Sequence, residues 1–363
     1  MSGRKRLTEL SYANLLLCLL VIFIHTSAEP VSQLNRDSWQ YLAVMIPWRL
    51  SAFVVQGFFF LSGVKLVLGA KEPFDTAGFY LRRAKAVVLP YVGWVFVYYC
   101  WFVFHGYFPF SWVDLGKYLI LGNLVSPFYF VVTIVQFYLL APAFWKAVKR
   151  VSPVVLLGGS LVVMVFCWKK LPWLLETVGL CKDFRYNDRV FTTYLFYFVL
   201  GCVAGRHYES FCAWLKQRRT ALVPAFLALA AGDVWIYAKL LGVVGGFFAD
   251  LFHMVYCVGA ILAVQSLALW AAERGMPRML AAMDRVTYPV FLCHSLVIFW
   301  LNDKMGAFGL WDLAARFLLR LAVVYPVAFA LCMGWQALRR TLKQRPKSNR
   351  KAAPDGREVT PKS

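Results

Sequence analysis

The feature of this chain that most constrains its fold is a series of long apolar stretches that contain few charged residues. A stretch of about 18 apolar residues can cross the ~30 Å hydrocarbon core of a bilayer as an α-helix. Charged residues make up only 16% of the 363 residues, and they collect in short islands between the apolar stretches. A soluble core of this size does not need so many stretches of that length. We therefore expect an all-α fold, a polytopic membrane helical bundle.

The apolar stretches predict about ten transmembrane helices. The fourth stretch is long and polar near its middle, so we expect a short lead-in followed by a span that starts near Pro127. The expected spans are 10–27, 47–69, 84–104, 117–144, 152–168, 190–206, 220–240, 245–271, 286–301 and 312–337.

The positions of Lys and Arg predict the orientation of these helices, because cytoplasmic connections are enriched in both residues. Basic clusters precede the first span and follow the second, fourth, sixth, eighth and tenth spans. The connection at 169–189 is an exception that also contains acidic residues, and we interpret it as a small external cap. Both termini are therefore expected in the cytoplasm. The net charge of +21 is distributed among loops and the C-terminal end, which does not indicate a nucleic-acid-binding face.

The cysteine pattern does not indicate a metal or redox site. The chain has nine cysteines without a CxxC motif, and most of them lie in apolar stretches. We interpret them as buried free thiols that pack as small apolar side chains. Since no Cys/His spacing typical of a metal site occurs either, no metal is expected.

Two of the five histidines lie within predicted spans, His25 at the outer end of the first and His294 midway along the ninth. Ionisable groups at membrane depth are costly to bury and are therefore candidates for function. Both helices are expected to run outward, so both rings can face one cavity, where a neutral imidazole takes a proton from an attacking hydroxyl. For His294 the alternative is a hydrogen bond to a neighbouring helix without a chemical role.

The second span contains the polar run Gln56–Lys65. Gly57 and Gly63 permit close approach of another helix. Ser62 can bond the backbone of its own helix, and Lys65 can extend its ammonium toward the cytoplasmic face.

Three cations, Arg82, Arg83 and Lys85, lie at the expected cytoplasmic mouth of the third span. The enrichment of basic residues in cytoplasmic loops is enough to explain them. The alternative is a phosphate-binding site for a nucleotide-bearing cofactor, because Arg pairs well with phosphate oxygens.

Taken together, these segments resemble the acyltransferase 3 family of bacterial membrane acyltransferases. The resemblance covers roughly residues 7–338, and its specificity comes from the order and spacing of the motifs. Within the family, the chain is most similar to the intercellular adhesin branch. This similarity lies in Tyr129–Gln136, in the external loop at 169–189 and in Tyr197–Gly201. The matching places are His25 at the end of the first helix, Phe59-Phe60-Leu61-Ser62-Gly63, Arg83-Ala84-Lys85 through Pro90-Tyr91, and Tyr288 to His294.

The resemblance implies a function that composition alone does not give. It implies transfer of an acetyl or succinyl group from cytoplasmic acetyl-CoA or succinyl-CoA to a hydroxyl of a surface polysaccharide or glycolipid. The enzyme would lie in the bacterial inner membrane, near exopolysaccharide synthesis machinery. The polar, basic and proline-containing composition of 341–363 separately predicts a disordered cytoplasmic tail after a transmembrane domain at 1–340. The implied catalytic residues are His25, Asn14 and His294, and the implied acyl-CoA-binding residues are Arg82, Arg83, Lys85 and Ser62.

The chain departs from the family pattern at one position. The family typically has an arginine eleven positions before the histidine of the first helix, and here Asn14 occupies that position. Ser11 stands where an acidic residue is common. Asn14 can donate a hydrogen bond but carries no charge. Two explanations stay open: one of the cations Arg82, Arg83 and Lys85 replaces the missing charge, or the protein has a modified activity.

Two other classes of function remain open. A transporter or flippase of lipid-linked sugars also fits many spans with polar intramembrane residues, although no inverted repeat is evident. A catalytically inactive family member fits the missing arginine.

Overall fold

The computed structural model describes residues 7–180, 182, 184–240 and 246–344, and these residues form an all-α fold without strands. Two π-helical segments, Ala84–Val88 and Ile236–Leu240, continue neighbouring helices. The α-helices are α1 (Thr8–Thr26), α2 (Ala28–Gln33), α3 (Trp39–Leu50), α4 (Val54–Gly69), α5 (Thr76–Arg83), α6 (Leu89–Phe104), α7 (Trp112–Leu121), α8 (Tyr129–Leu139), α9 (Ala141–Arg150), α10 (Pro153–Thr177), α11 (Leu195–Arg206), α12 (Tyr208–Gln217), α13 (Arg219–Trp235), α14 (Gly246–Ala272), α15 (Arg278–Asp284), α16 (Thr287–Ala307) and α17 (Leu313–Gln344).

Seven helices within the described residues are long and apolar enough to cross a membrane. The count becomes eight if α7 and the segment Ser126–Leu139, which meet at a bend of 59°, form one broken span. This bend confirms the break predicted near Pro127. The seven are Thr8–Thr26, Trp39–Gly69, Thr76–Phe104, Pro153–Thr177, Arg219–Lys239, Gly246–Ala272 and Leu313–Leu342.

The predicted number of ten spans is therefore not confirmed. The sixth predicted span corresponds to Phe191–Arg206, which is apolar but short. The ninth corresponds to α16, which has 21 residues but contains the polar sequence Asn302-Asp303-Lys304 near its C-terminal end. The orientation of the termini stays a prediction. Helix α17 continues to Gln344, four residues into the predicted tail, and the rest of that tail lies outside the described residues.

Two of the candidate spans leave most of their apolar side chains on the outside of the bundle. Only 11% of the apolar window is buried in Pro153–Thr177, and the same fraction is buried in Arg219–Lys239. An apolar surface of this extent suits contact with lipid chains, since a soluble protein would not leave it in water. The chain is thus a multi-pass membrane protein.

The tightest contact between helices is the one between α4 and α11. A Cβ on Gly63 would overlap the carbonyl oxygen of Phe198, and a Cβ on Gly201 would overlap that of Phe60. Gly205 continues the contact, since a Cβ there would lie 2.9 Å from the Val64 carbonyl oxygen. Small residues let two backbones approach this closely in a membrane, as predicted for Gly63.

Helix α1 lies inside the bundle and packs against α4, α14, α16 and α17. Partly buried ion pairs hold the helices around it. Arg49 of α3 bonds both carboxylate oxygens of Asp233 in α13, at 2.7 and 3.0 Å, and His253 of α14 lies 3.0 Å from the same carboxylate. On the far side, Glu29 of α2 pairs with Arg316 and Arg320 of α17.

We predict that alanine at Gly63 or at Gly201 lowers the free energy of unfolding, because the new methyl group meets a backbone carbonyl of the partner helix. Overpacking a core costs ~1–3 kcal/mol. The measurement is the melting temperature of purified protein in detergent. Gly158→Ala in α10 is the control, since a Cβ there meets no described atom within 4 Å. A Gly63→Ala variant that melts like this control would contradict the contact.

Candidate functional site

Helix α1 presents Asn14 and His25 to the same neighbours. Eleven residues of an α-helix rise ~16 Å and return to within roughly 20° of the starting direction. Asn14 therefore lies in the N-terminal half of α1 and His25 in its last turn, on one face. Asn14 contacts Thr287 at the start of α16, and His25 contacts His294 further along it. The two helices run in the same direction, as predicted.

The structure brings the two predicted histidines together. The rings of His25 and His294 lie 5.2 Å apart between centroids, tilted by 40°. His294 is fully buried, and its Nδ1 lies 3.2 Å from the Val290 carbonyl oxygen. Because a carbonyl only accepts, Nδ1 carries the proton, and Nε2 accepts from the Ser295 hydroxyl at 3.3 Å. His294 is thus held in one tautomer and one orientation.

His25 differs from His294 in its surroundings. It is half-buried, and its ring forms no hydrogen bond with any residue that the structure describes. Its nitrogens are therefore available to another molecule, whereas both nitrogens of His294 are engaged.

In the N-terminal half of α1, Asn14 is the centre of a polar cluster. Its Nδ2 donates to Asp284 Oδ1 at 2.8 Å and to Thr287 Oγ1 at 2.9 Å. Its Oδ1 accepts from Lys65 Nζ at 3.3 Å. Lys65 therefore brings a positive charge from α4 to the position where the family pattern has an arginine on α1.

A narrow cavity of about 270 Å³ begins at this cluster and is lined by Asn14, Ser62, Lys65 and Arg83. Its remaining wall is mainly aromatic, and Phe291 belongs to that wall. The Phe291 ring also contacts the ring of His294, at 6.2 Å between centroids. The cavity thus extends from a group of cations to the neighbourhood of the histidine pair.

A wide cavity of about 930 Å³ lies on the other side of the cluster. Asn14 and Lys65 line both cavities, so they form a shared wall. The wide cavity also contains the cation Arg206 and two carboxylates, Asp284 and Glu209. It is open, and it lies at the end of the bundle that the basic loops predict to be cytoplasmic.

The three predicted phosphate-binding cations separate into two groups. Arg83 lines the narrow cavity, and its guanidinium lies 4.9 Å from the centre of the Tyr138 ring. Arg82 is exposed and pairs with Asp75 at 3.1 Å. The Gly78 backbone N–H and the Arg82 guanidinium lower the pKa of that carboxyl. Lys85 is also exposed, in the π-helical segment.

The π-helical segment Ala84–Val88 adjoins Arg83, and the hydroxyl of Tyr288 donates to its Val87 carbonyl oxygen at 2.8 Å. Insertions of this kind are frequent at functional sites. The bond ties the basic segment to α16, two turns before His294.

Sequence reasoning assigned Asn14, Ser62 and Arg83 to the site, and the structure places all three around one cavity. It did not assign Lys65, which was interpreted as reaching toward the cytoplasmic face, or Asp284. A lysine inside an apolar span was the available signal for Lys65. No comparable signal marked Asp284, because it ends a short helix outside the predicted spans. Within the described residues, no group of His, Cys, Asp and Glu is arranged to hold a metal ion.

Comparisons with known proteins agree with the motifs. The family model of the acyltransferase 3 family, described as an acyltransferase domain, matches residues 8–335. One curated relative, "Putative membrane-bound acyltransferase YfiQ" of Bacillus subtilis (strain 168), is 27% identical over 180 residues. The match spans 48% of this chain and 48% of that relative, about half the length of each. No solved structure matches.

We predict that Tyr288→Phe lowers the free energy of unfolding by ~1 kcal/mol, because the Val87 carbonyl loses its side-chain donor. The melting temperature in detergent measures the effect. Tyr107→Phe is the control, since Tyr107 is 59% exposed. Equal melting temperatures for the two variants would show that the bond does not hold the π-helical segment.

Proposed function

We propose, from the premise that the chain belongs to the acyltransferase 3 family, that it transfers an acyl group from acyl-CoA to a hydroxyl of a surface polysaccharide or glycolipid. The acyl donor is acetyl-CoA or succinyl-CoA, and the site of action is the bacterial inner membrane. One observation carries this proposal: a cavity lined by Asn14, Ser62, Lys65 and Arg83 reaches Phe291, whose ring contacts that of His294, the buried partner of His25.

The donor enters from the end of the bundle where the cations lie. Arg83 and Lys65 line the narrow cavity, and the exposed Arg82 and Lys85 lie in the adjoining basic segment. Cations bind phosphate oxygens through charge-assisted hydrogen bonds, and the CoA moiety supplies those oxygens. The wide cavity accommodates the nucleotide, and the narrow cavity directs the acyl end toward Phe291. This proposal requires the Phe291 side chain to rotate before the acyl group can reach His25.

His25 is the general base in this proposal, because its ring nitrogens are not engaged by the described residues. The hydroxyl oxygen attacks the thioester carbonyl carbon while His25 takes the hydroxyl proton. The C–S bond then breaks, and the departing CoA thiolate takes that proton. His294, fixed by Val290 and Ser295, orients the His25 ring. A relay in which His25 first accepts the acyl group uses the same geometry.

We predict that His25→Ala lowers the rate of acyl transfer by ~10²–10⁴-fold, the usual contribution of a general base. The assay measures the CoA that purified protein releases from labelled acyl-CoA in the presence of the acceptor glycan. The variants compared are those that reach the same level in the membrane before purification. His105→Ala is the control, since that histidine lies at the exposed end of α6. Full acyl transfer by His25→Ala would show that His25 is not the general base. A wild-type protein that releases no CoA but moves glycan across vesicles would be a transporter.

We predict that Lys65→Met raises the KM for acyl-CoA and that adding Asn14→Arg restores it. The reason is that the Lys65 ammonium lies 3.3 Å from the Asn14 side chain, so an arginine at 14 returns a cation to the same cavity. Asn14→Gln in the Lys65→Met background is the matched control without a charge. If Asn14→Arg lowers the KM of the Lys65→Met variant no more than Asn14→Gln does, Lys65 does not act through its charge. New activity of Asn14→Arg in an otherwise inactive wild-type protein would identify a catalytically inactive family member.

A further inference from the structure

A third cavity, of about 660 Å³, lies between α1, α3, α13 and α14 and is separate from the candidate active site. Each of these helices belongs to a candidate membrane span. Leu16, Leu20 and Phe23 line the cavity from α1, and their spacing places them on one helix face. Phe23 and His25 lie about 200° apart around α1, so the cavity and the histidine pair use different faces. We call this cavity the apolar cleft.

One end of the apolar cleft is polar. Arg219, Ser266 and Trp270 all line it. Ser266 is 4% exposed, and its hydroxyl has no hydrogen-bond partner in the described part of the chain. A buried hydroxyl without a partner is costly, so the Ser266 hydroxyl can donate to an acceptor oxygen of a molecule in the cleft.

Arg219 also has buried hydrogen-bond donors without an acceptor that the structure describes. Its Nε and one terminal nitrogen are buried, and neither has a hydrogen-bond acceptor among the residues described. The terminal nitrogen lies 3.5 Å from Glu273 Oε1, at the long end of the ion-pair range. Lys216 shares that carboxylate at 3.3 Å, so two cations face one anion at this end of the cleft.

The order of these groups follows the depth of the membrane. Arg219 begins α13 and pairs with Glu273, the residue after the end of α14. Ser266 lies seven residues before Glu273, which places it ~10 Å deeper along the helix. Trp270 lies between them, and tryptophan is enriched at membrane interfaces. From this end inward, the cleft offers a cation, then a hydroxyl, then apolar side chains.

We propose that the apolar cleft binds an anionic glycerophospholipid. An acyl chain fills the apolar part, the phosphate accepts hydrogen bonds from Arg219, and an ester carbonyl oxygen accepts from the Ser266 hydroxyl. Charge complementarity selects the occupant, because the excess of cations at this end attracts an anionic headgroup. The bound lipid fills the space between α1 and α13 and stabilises the packing of both helices on α14, without entering the acyl-transfer site.

The test uses full-length protein, delipidated in detergent and titrated with phosphatidylglycerol or phosphatidylcholine of the same chain length. Phosphatidylglycerol is expected to raise the melting temperature of the wild-type protein more than phosphatidylcholine does. Arg219→Gln is expected to weaken phosphatidylglycerol binding by about tenfold, the effect of losing a charge-assisted hydrogen bond. Arg218→Gln removes the same charge from the neighbouring residue and is expected to keep the wild-type response.

Two further variants keep the proposal testable if Arg219→Gln does not fold. Glu273→Gln breaks the ion pair but keeps Arg219, so it should retain the preference for phosphatidylglycerol. Ala263→Phe fills the cleft and should reduce the lipid that copurifies, as counted by native mass spectrometry. Equal responses to the two lipids, equal behaviour of Arg219→Gln and Arg218→Gln, or a copurifying polyprenyl phosphate would overturn the proposal. None of these readouts depends on acyl transfer.

Discussion

The backbone contact between α4 and α11 fixes the rotation of α4, and the rest of the site depends on that rotation. Gly63 faces α11, where no Cβ can be accommodated. Lys65 lies about 200° further around the helix and therefore faces the opposite neighbour, α1. There Lys65 meets Asn14, and Gly57 of α4 packs on Leu17 of α1. A helix held by glycines on one side can thus present a single charged residue at a defined place on the other.

The cluster around Asn14 illustrates how a charge is kept at membrane depth. An isolated ammonium there is costly, but this one lies beside an amide oxygen and opens onto a wide cavity. The amide nitrogen in turn donates to Asp284 Oδ1 and to Thr287 Oγ1, which precede and begin α16. The same few side chains therefore join α1, α4 and α16 and separate two cavities.

The two opposite faces of helix α1 differ in polarity, and each faces a different part of the bundle. One face carries Asn14, Cys18 and His25 toward α15 and α16, where hydrogen bonds and ring contacts dominate. The other carries Leu16, Leu20 and Phe23 toward the apolar cleft. Placing polar groups on the protein-facing side and apolar groups beside lipid is the arrangement that a low-dielectric solvent favours. The ion pairs Arg49–Asp233 and Glu29–Arg320, each with one fully buried partner, secure the neighbouring helices.

The sequence by itself determined the fold class, because the length and apolar character of each stretch leave an α-helix as the way to satisfy its backbone in a membrane. It also determined the break near Pro127 and the candidates His25 and His294, since each depends on residues close together in the chain. The contacts of Asn14 with Asp284 and Lys65 join residues that are 270 and 51 positions apart. Which of them meet depends on how each helix is rotated about its axis, and hydropathy does not encode that rotation. Packing at Gly63 and Gly201 sets it, so only the tertiary structure placed Lys65 beside Asn14, separated Arg83 from Arg82, and brought Arg219 and Ser266 to one cleft.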